Sequence, residues 1–201
     1  IWNASDTNMG ESNLYLPADL PEVEGVNLKR TKTKKSFLFR AIINDDSETI
    51  KELVNNGLSP NTVIKKQSAL DFAIDNNKIN SVKALLECGA DADETSASDW
   101  TLIDKACRKA DRKVANEIVR LLIKYSSNIS DETFNNVCKL CDYITVKTLL
   151  DCGYTPNNES LDSAIRFTSP DTVRIIELLI KAGADPNERD RYGNTILSRL
   201  M

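Results

Sequence analysis

The sequence predicts an all-α solenoid of helix-turn-helix units joined by short β-hairpin fingers, two of the fingers shortened. Three observations predict it. Small residues recur at Ala41, Ala73, Ala106, Cys138 and Ala164, spaced by 32, 33, 32 and 26 positions. Each closes an apolar phrase: Ser36-Phe-Leu-Phe-Arg-Ala41, Ser68-Ala-Leu-Asp-Phe-Ala73, Thr101-Leu-Ile-Asp-Lys-Ala106, then the degraded Thr133-Phe-Asn-Asn-Val-Cys138 and Ser160-Leu-Asp-Ser-Ala164. A second phrase, an aliphatic pair followed by a turn residue, recurs at Leu53-Val54 to Gly57, Leu85-Leu86 to Gly89, Leu121-Leu122 to Ser126, Leu149-Leu150 to Gly153 and Leu178-Leu179 to Gly183. A near-constant period of this length is the mark of a repeat architecture. Helical spacing of apolar residues, as in Ile50, Leu53, Val54 or Val173, Ile176, Leu179, Ile180, makes the second half of each unit a helix. One such helix pair cannot cover its own apolar face, so the units must stack.

The elements follow in chain order. Residues 1–33 do not fit the repeat and read as an N-terminal arm or linker. Trp2, Leu14, Tyr15, Leu16, Leu20 and Val23 give the arm apolar surface, while Pro17 and Pro21 block a long helix. Its charge is divided: residues 1–28 hold five acids and no Lys or Arg, and 29–40 hold six basic residues and no acid. Residues 34–201 read as the repeat domain, about five repeats and a truncated sixth beginning at Gly193. Each second helix stops at a residue, usually Gly, able to take a left-handed conformation.

The period drifts in the middle. From turn to next anchor the gap is 16 for Gly57 to Ala73 and 17 for Gly89 to Ala106, but 12 for Ser126 to Cys138 and 11 for Gly153 to Ala164. Two fingers are therefore expected to be about five residues short. Conversely, Ala106 to Ser126 and Ala164 to Gly183 run 20 and 19, against 16 in the first two units. That surplus is about one helical turn and predicts lengthened helices there. Less cooperative unfolding is expected around 126–138 and 153–164. The opening Ile and the incomplete last unit suggest a piece of a longer protein.

Gly89-Ala-Asp-Ala-Asp93 and Gly183-Ala-Asp-Pro-Asn-Glu-Arg-Asp-Arg-Tyr-Gly-Asn-Thr195 resemble the inter-repeat hairpin of the ankyrin-repeat family. The resemblance covers about 36–201, and its irregularity is similar to that of ankyrin proteins from large DNA viruses and intracellular bacteria. It implies a binding scaffold whose partner meets a concave side built from the fingers and the exposed ends of the first helices. The positions that match this side include Trp100, Arg108, Lys109, Leu140, Arg166, Phe167, Arg191 and Tyr192. Aromatics and arginines are the types that anchor interfaces, so a basic, aromatic face suited to an acidic peptide or protein surface is expected. Trp100 and Phe167 admit the plainer reading of packing between units. Asp71 and Asp104 stand where the family carries a His that bridges neighbouring repeats. Asp accepts hydrogen bonds without bridging in the same way, which predicts lower stability.

Little in the chain points to catalysis. It has no His, which excludes imidazole acid-base schemes. Its seven glycines lie mostly at repeat turns, with no phosphate-binding loop. The acid pairs Asp45-Asp46 and Asp91/Asp93 fall at turns, where Asp has backbone reasons to be. Cys138-Lys-Leu-Cys141 has half-site spacing for redox or metal chemistry, but a second pair and a His are missing, so a packing role is expected. Cys88 and Cys152 read the same way. No cofactor or metal is expected.

Five cysteines, an odd number, fit a reducing compartment, and the acceptor triplets at Asn3, Asn128 and Asn158 read as chance. The chain shows no secretory leader and no apolar run near the ~18 residues of a bilayer span. A cytoplasmic protein is expected, or a nuclear one if Lys29, Arg30, Lys32, Lys34 and Lys35 act as an import signal. The same five could touch phosphates, or form a solvated lead-in to the first repeat. Nucleic-acid binding is the weakest of these readings, because the net charge is -4 and no basic stripe carries interleaved aromatics. The leading function is a protein-protein interaction module that recruits or blocks a partner. The alternatives are a targeting domain of a larger enzyme or effector, and a nuclear regulator using residues 29–35.

Overall fold

The computed structural model describes residues 24–64, 66, 67–96, 98–157, 159–166, 169–187, 193–195 and 198, with side chains from Thr33 onward except that of Ile64. Ten helices alternate between two rows among these residues. The first row is α1 (Glu24–Ile43), α3 (Ala69–Asp75), α5 (Leu102–Cys107), α7 (Asp131–Leu140) and α9 (Ser160–Ile165). The second is α2 (Ser47–Asn55), α4 (Ile79–Glu87), α6 (Arg112–Tyr125), α8 (Tyr143–Asp151) and α10 (Thr172–Lys181). Each helix touches the next in its own row, and neighbouring units share one continuous apolar layer. Helix α4, for example, with Val82, Leu85 and Leu86 at 0–1% exposure, packs against both α2, which buries Ile50 and Leu53, and α6, which buries Ile118, Val119 and Leu122.

The aliphatic-pair phrase has a defined geometry. In α4 the Gly89 amide donates to the Leu86 carbonyl (3.0 Å) and the Ala90 amide to the Leu85 carbonyl (2.9 Å). This double closure requires Gly89 at φ +86, the left-handed region where a Cβ is costly. Leu53, Gly57 and Leu58 close α2 in the same way, as do Leu179, Gly183 and Ala184 for α10. The phrase is thus a helix stop that also returns an apolar residue to the core. Ser126 breaks the pattern at φ -74, ψ 137, so α6 ends without a left-handed turn.

First helices start on their own hydroxyls. The side chains of Ser68, Thr101 and Ser130 accept from the amides of Asp71, Asp104 and Thr133, capping α3, α5 and α7. Second helices are capped partly by the neighbouring unit. Lys78 gives α4 no side-chain cap; instead Asp45 of the preceding unit, at φ +56, accepts from the Ser81 amide and hydroxyl at 2.8 Å each and from Asn80 Nδ2 at 3.0 Å. Its neighbour Asp46 caps α2 through the Thr49 amide and hydroxyl, and those bonds lower its pKa. Both members of that acid pair therefore hold helix starts.

The structure revises several expectations. Asp71 and Asp104 do bridge neighbouring units, because the donors come from the following one. Asp71 accepts from Lys105 Nζ (2.5 Å), and Asp104 from Thr133 Oγ1 (2.8 Å) and Asn136 Nδ2 (2.9 Å). Of the two helices expected to be lengthened, α6 is (14 residues against 9 for α2, α4 and α8) and α10 is not (10 residues). The surplus after Ala164 falls instead between the end of α9 at Ile165 and the start of α10 at Thr172. Helix α1 runs through residue 33, so the basic segment 29–35 continues the first unit's helix.

Strand content is small among the described residues. A two-stranded antiparallel hairpin pairs β1 (Val63–Ile64) with β2 (Gln67–Ser68), and an isolated bridge joins Thr95 and Thr101. Residues 56–68 and 88–101 separate the first helix pairs, whereas 126–130 alone separate α6 from α7 and 152–159 separate α8 from α9.

Candidate functional site

The first-helix row and the connections that enter it carry most of the candidate residues. Trp100 sits at the end of the 88–101 connection, just before the Thr101 cap, and is 46% exposed. The Arg108 guanidinium, at the far end of α5, lies 4.4 Å from its ring centroid. Such stacking is worth about 0.5–1 kcal/mol at an exposed site and holds two flexible side chains against each other. The pair is a preformed platform with an aromatic edge and a cation, both facing water.

Lys109 is engaged within the protein. Its Nζ donates to the Asp75 carbonyl (2.7 Å) and approaches the Asp75 carboxylate (3.8 Å). Burial lowers its pKa, and nearby Lys105 acts in the same direction. Lys105 itself is raised: burial works against its charge, but hydrogen bonds to Asp71 and Asp75 outweigh that cost. Glu94 receives the Ser68 hydroxyl, and burial together with Asp71 and Asp91 pushes its carboxyl up.

Leu140 is half-buried and packs against the core cluster, and Cys141 beside it is buried. Arg166 is exposed at the end of α9, and its Nε and Nη2 donate to Asp162 at 2.9 and 2.8 Å. Phe167, Arg191 and Tyr192 lie outside the described residues, as do the side chains of Lys29, Arg30 and Lys32. Lys34 donates from Nζ to the Asn56 carbonyl (2.8 Å), tying α1 to the end of α2, and Lys35 is half-buried. The structure thus brings Trp100 and Arg108 together, engages Lys109 and packs Leu140 inward.

A second feature was not foreseen from the sequence. An open groove of ≈ 770 Å³ runs between α7 and α9, lined by Asp131, Glu132, Asn135, Asn136, Lys139, Asn157, Glu159, Ser163 and Arg166. Of these, the sequence pattern points to Arg166 alone. The polar residues of α7 recur at helical intervals of three and four, a signal that reads in sequence as an ordinary solvated face.

The cysteines take varied positions. All five are free; Cys107, Cys138 and Cys141 are buried, Cys88 is half-buried and Cys152 is exposed, so Cys152 is no packing residue. Cys107 and Cys141 sulfurs lie 3.5 Å apart across the α5–α7 contact. Burial pushes the Cys138 thiol far up, and hydrogen bonding to Cys141 and burial do the same for Cys107, so neither supplies a ready thiolate. Among the described residues no group of three or more His, Cys, Asp or Glu could hold a metal, and no helix is long and apolar enough to cross a membrane.

Comparison with known proteins agrees with this architecture. A family model described as ankyrin repeats (3 copies) matches residues 15–96 and 38–133. An ankyrin repeat protein of fowlpox virus (strain NVSL), FPV022, is 22% identical over an alignment 141 residues long that covers 67% of this chain and 24% of that protein. The chain therefore aligns with about a quarter of that relative's length. Among solved structures, an ankyrin repeat domain from Acinetobacter baumannii AYE superposes with a TM-score of 0.62 at 24% identity, covering 80% of this chain and 88% of that one. The ankyrin repeat protein EF0377 gives 0.59 at 22% identity, over 79% and 87%.

Proposed function

The chain belongs to the ankyrin-repeat family, a non-catalytic scaffold generally used for protein-protein interaction, and we propose that it binds a protein partner on the side formed by its first helices. The observation that carries this reading is the exposed Trp100–Arg108 platform. A large aromatic held by a stacked guanidinium has little side-chain entropy left to lose on binding, and these two residue types dominate interface energetics. With Lys105 and Lys109 engaged by Asp71 and Asp75, Arg108 is the cation the platform offers, and an acidic peptide or surface suits it. We read the β1–β2 hairpin and the Thr95–Thr101 bridge as the first two fingers of the repeat, and the short 126–130 and 152–159 connections as the two reduced ones.

The test compares partners captured from lysate by the 201-residue chain and by a Trp100→Ala/Arg108→Glu variant with an unchanged circular dichroism melt. A partner lost with the variant, and displaced from wild type by an acidic peptide, is the expected result. Equal capture by both would move the site away from the platform.

A second reading rests on length. Since the chain aligns with only 24% of the fowlpox relative, it can serve as the targeting part of a longer protein. A third assigns nuclear entry to the basic helical segment 29–35; relocation to the cytoplasm of a Lys29→Ala/Arg30→Ala/Lys32→Ala variant in cells would support it, and unchanged distribution would remove it.

A further inference from the structure

The groove between α7 and α9 has an order that the platform lacks. Its lining falls into three rungs. Asp131 and Glu132 in the first turn of α7 stand with Glu159 at the start of α9. One turn on come Asn135, Asn136 and Ser163, and at the far end Lys139 and Arg166. The groove is therefore acidic at one end, neutral and hydrogen-bonding in the middle, and basic at the other.

The ordering has a structural cause. Helices α7 and α9 lie side by side, and the Asn157 carboxamide reaches the Asp131 carbonyl (3.4 Å), which aligns their starting ends. Acids at a helix start and bases at its end also complement the helix dipole, so the bland reading is two solvated helices with favourable charge placement. Two observations go beyond it. First, the chain shortens at both connections that enter these helices, 126–130 and 152–159, leaving the groove open where longer segments precede α3 and α5. Second, the acids and the bases stand at opposite ends of one open groove rather than on separate faces, so a single ligand can meet both.

We propose that this groove takes an extended, polyproline-II-like polypeptide segment carrying a basic and an acidic side chain three residues apart. From Glu132 to Lys139, and from Glu159 to Arg166, is seven helical residues, or about 10.5 Å. A polyproline-II chain advances ~3.1 Å per residue with three residues per turn, so residues i and i+3 share one face about 9.3 Å apart. A β-strand would turn those two side chains to opposite faces. A helical ligand fits less well: its main-chain groups are already paired, whereas an extended chain presents free N–H and C=O groups to the middle rung. The ligand's cation meets the acid rung and its carboxylate meets Lys139 and Arg166. The in-helix ion pair from Arg166 to Asp162 is exposed, and such pairs are weak enough to share.

This subsite does not depend on the Trp100 platform, and the test keeps the two apart. Fluorescein-labelled eight-residue peptides with Lys-x-x-Glu, Glu-x-x-Lys, Lys-x-x-Lys or Glu-x-x-Glu at the centre are titrated with the full 201-residue chain by fluorescence polarisation at low and high salt. One bipolar peptide should bind at least about fivefold tighter than both unipolar ones, the effect of one partly screened ion pair, and weaken with salt. A Glu132→Lys/Glu159→Lys variant should lose that preference, while Trp100→Ala/Arg108→Glu should keep it. Should the acid-end variant melt early, Arg166→Gln removes the opposite end and is expected to narrow the preference as well. Equal binding of all four peptides, no binding, tighter binding of Lys-x-x-Lys, or a preference untouched by Glu132, Glu159 and Arg166 would each overturn the proposal. Loss of the peptides with Trp100→Ala/Arg108→Glu alone would place the binding on the platform instead.

Discussion

At the residue scale, single carboxylates do much of the work of joining units. Asp45 caps a helix that is not its own, Asp104 gathers three donors (Thr101, Thr133 and Asn136), and Asp93 accepts from the hydroxyls of Ser126 and Ser127 and from the Ser127 amide at 2.9 Å. Asp93 makes the pH consequence clear. Burial opposes its charge, but the serine hydrogen bonds win and hold its carboxyl below the ordinary 3.8. Its folded pKa is thus depressed, so its contribution is present above about pH 3.8 and disappears as pH falls through the lower folded value. Asp93→Asn should lower stability at pH 7 by under about 1 kcal/mol, because the group is exposed and screened. The difference between the urea midpoints of wild type and variant should hold steady well above pH 3.8 and shrink progressively as pH falls below it. A constant difference between pH 7 and pH 3 would show that charge is not what the serines read.

The element scale is governed by how helices stop. The left-handed Gly89, Gly153 and Gly183 recur because each closes a helix while steering the chain onward, and a Cβ at Gly89 would meet no atom within 4 Å. Any cost of Gly89→Ala is therefore backbone strain alone, about 1–2 kcal/mol for a non-Gly residue in that region. The expected result is a lower urea midpoint for Gly89→Ala with the same slope, whereas Ser126→Ala, at negative φ, should cost less. Equal losses at both positions would contradict this account. The same geometry explains how α6 runs longer and the next connection is short: without a left-handed stop, the chain leaves α6 extended and enters α7 within residues 126–130.

At the scale of the whole molecule, burial is uneven along the stack. Helix α6 buries Ala115, Asn116, Ile118, Val119, Leu122 and Ile123, whereas α10 buries Ile175 and Leu179. In a solenoid each unit is stabilised by its neighbours alone, so local stability follows local burial. Native-state hydrogen exchange should show α4 and α6 protected most and α9 and α10 opening earlier, with the first loss at the C-terminal side rather than at 126–138. Uniform protection across all second helices would show a single cooperative block. This replaces the expectation drawn from period length, because the shortened 126–130 connection lies beside the best-buried helix of the second row.

The sequence by itself determined the repeat, the two-row helical solenoid and the positions of the helix stops. Those rest on periodicity and on local chemistry: aliphatic spacing, a glycine at a left-handed turn, a hydroxyl at a helix start. It also singled out Trp100 and Arg108, since residue type and place in the repeat sufficed. Only the tertiary structure decided that Lys109 is engaged by Asp75, that Leu140 packs inward, and that Asp71 and Asp104 bridge units by drawing donors from the next one. It alone set the α7 and α9 polar residues into one graded groove. The physical reason is range: a stop or a cap is fixed within about four residues, whereas a bridge or groove is made by side chains some thirty positions apart, whose meeting depends on how neighbouring units stack.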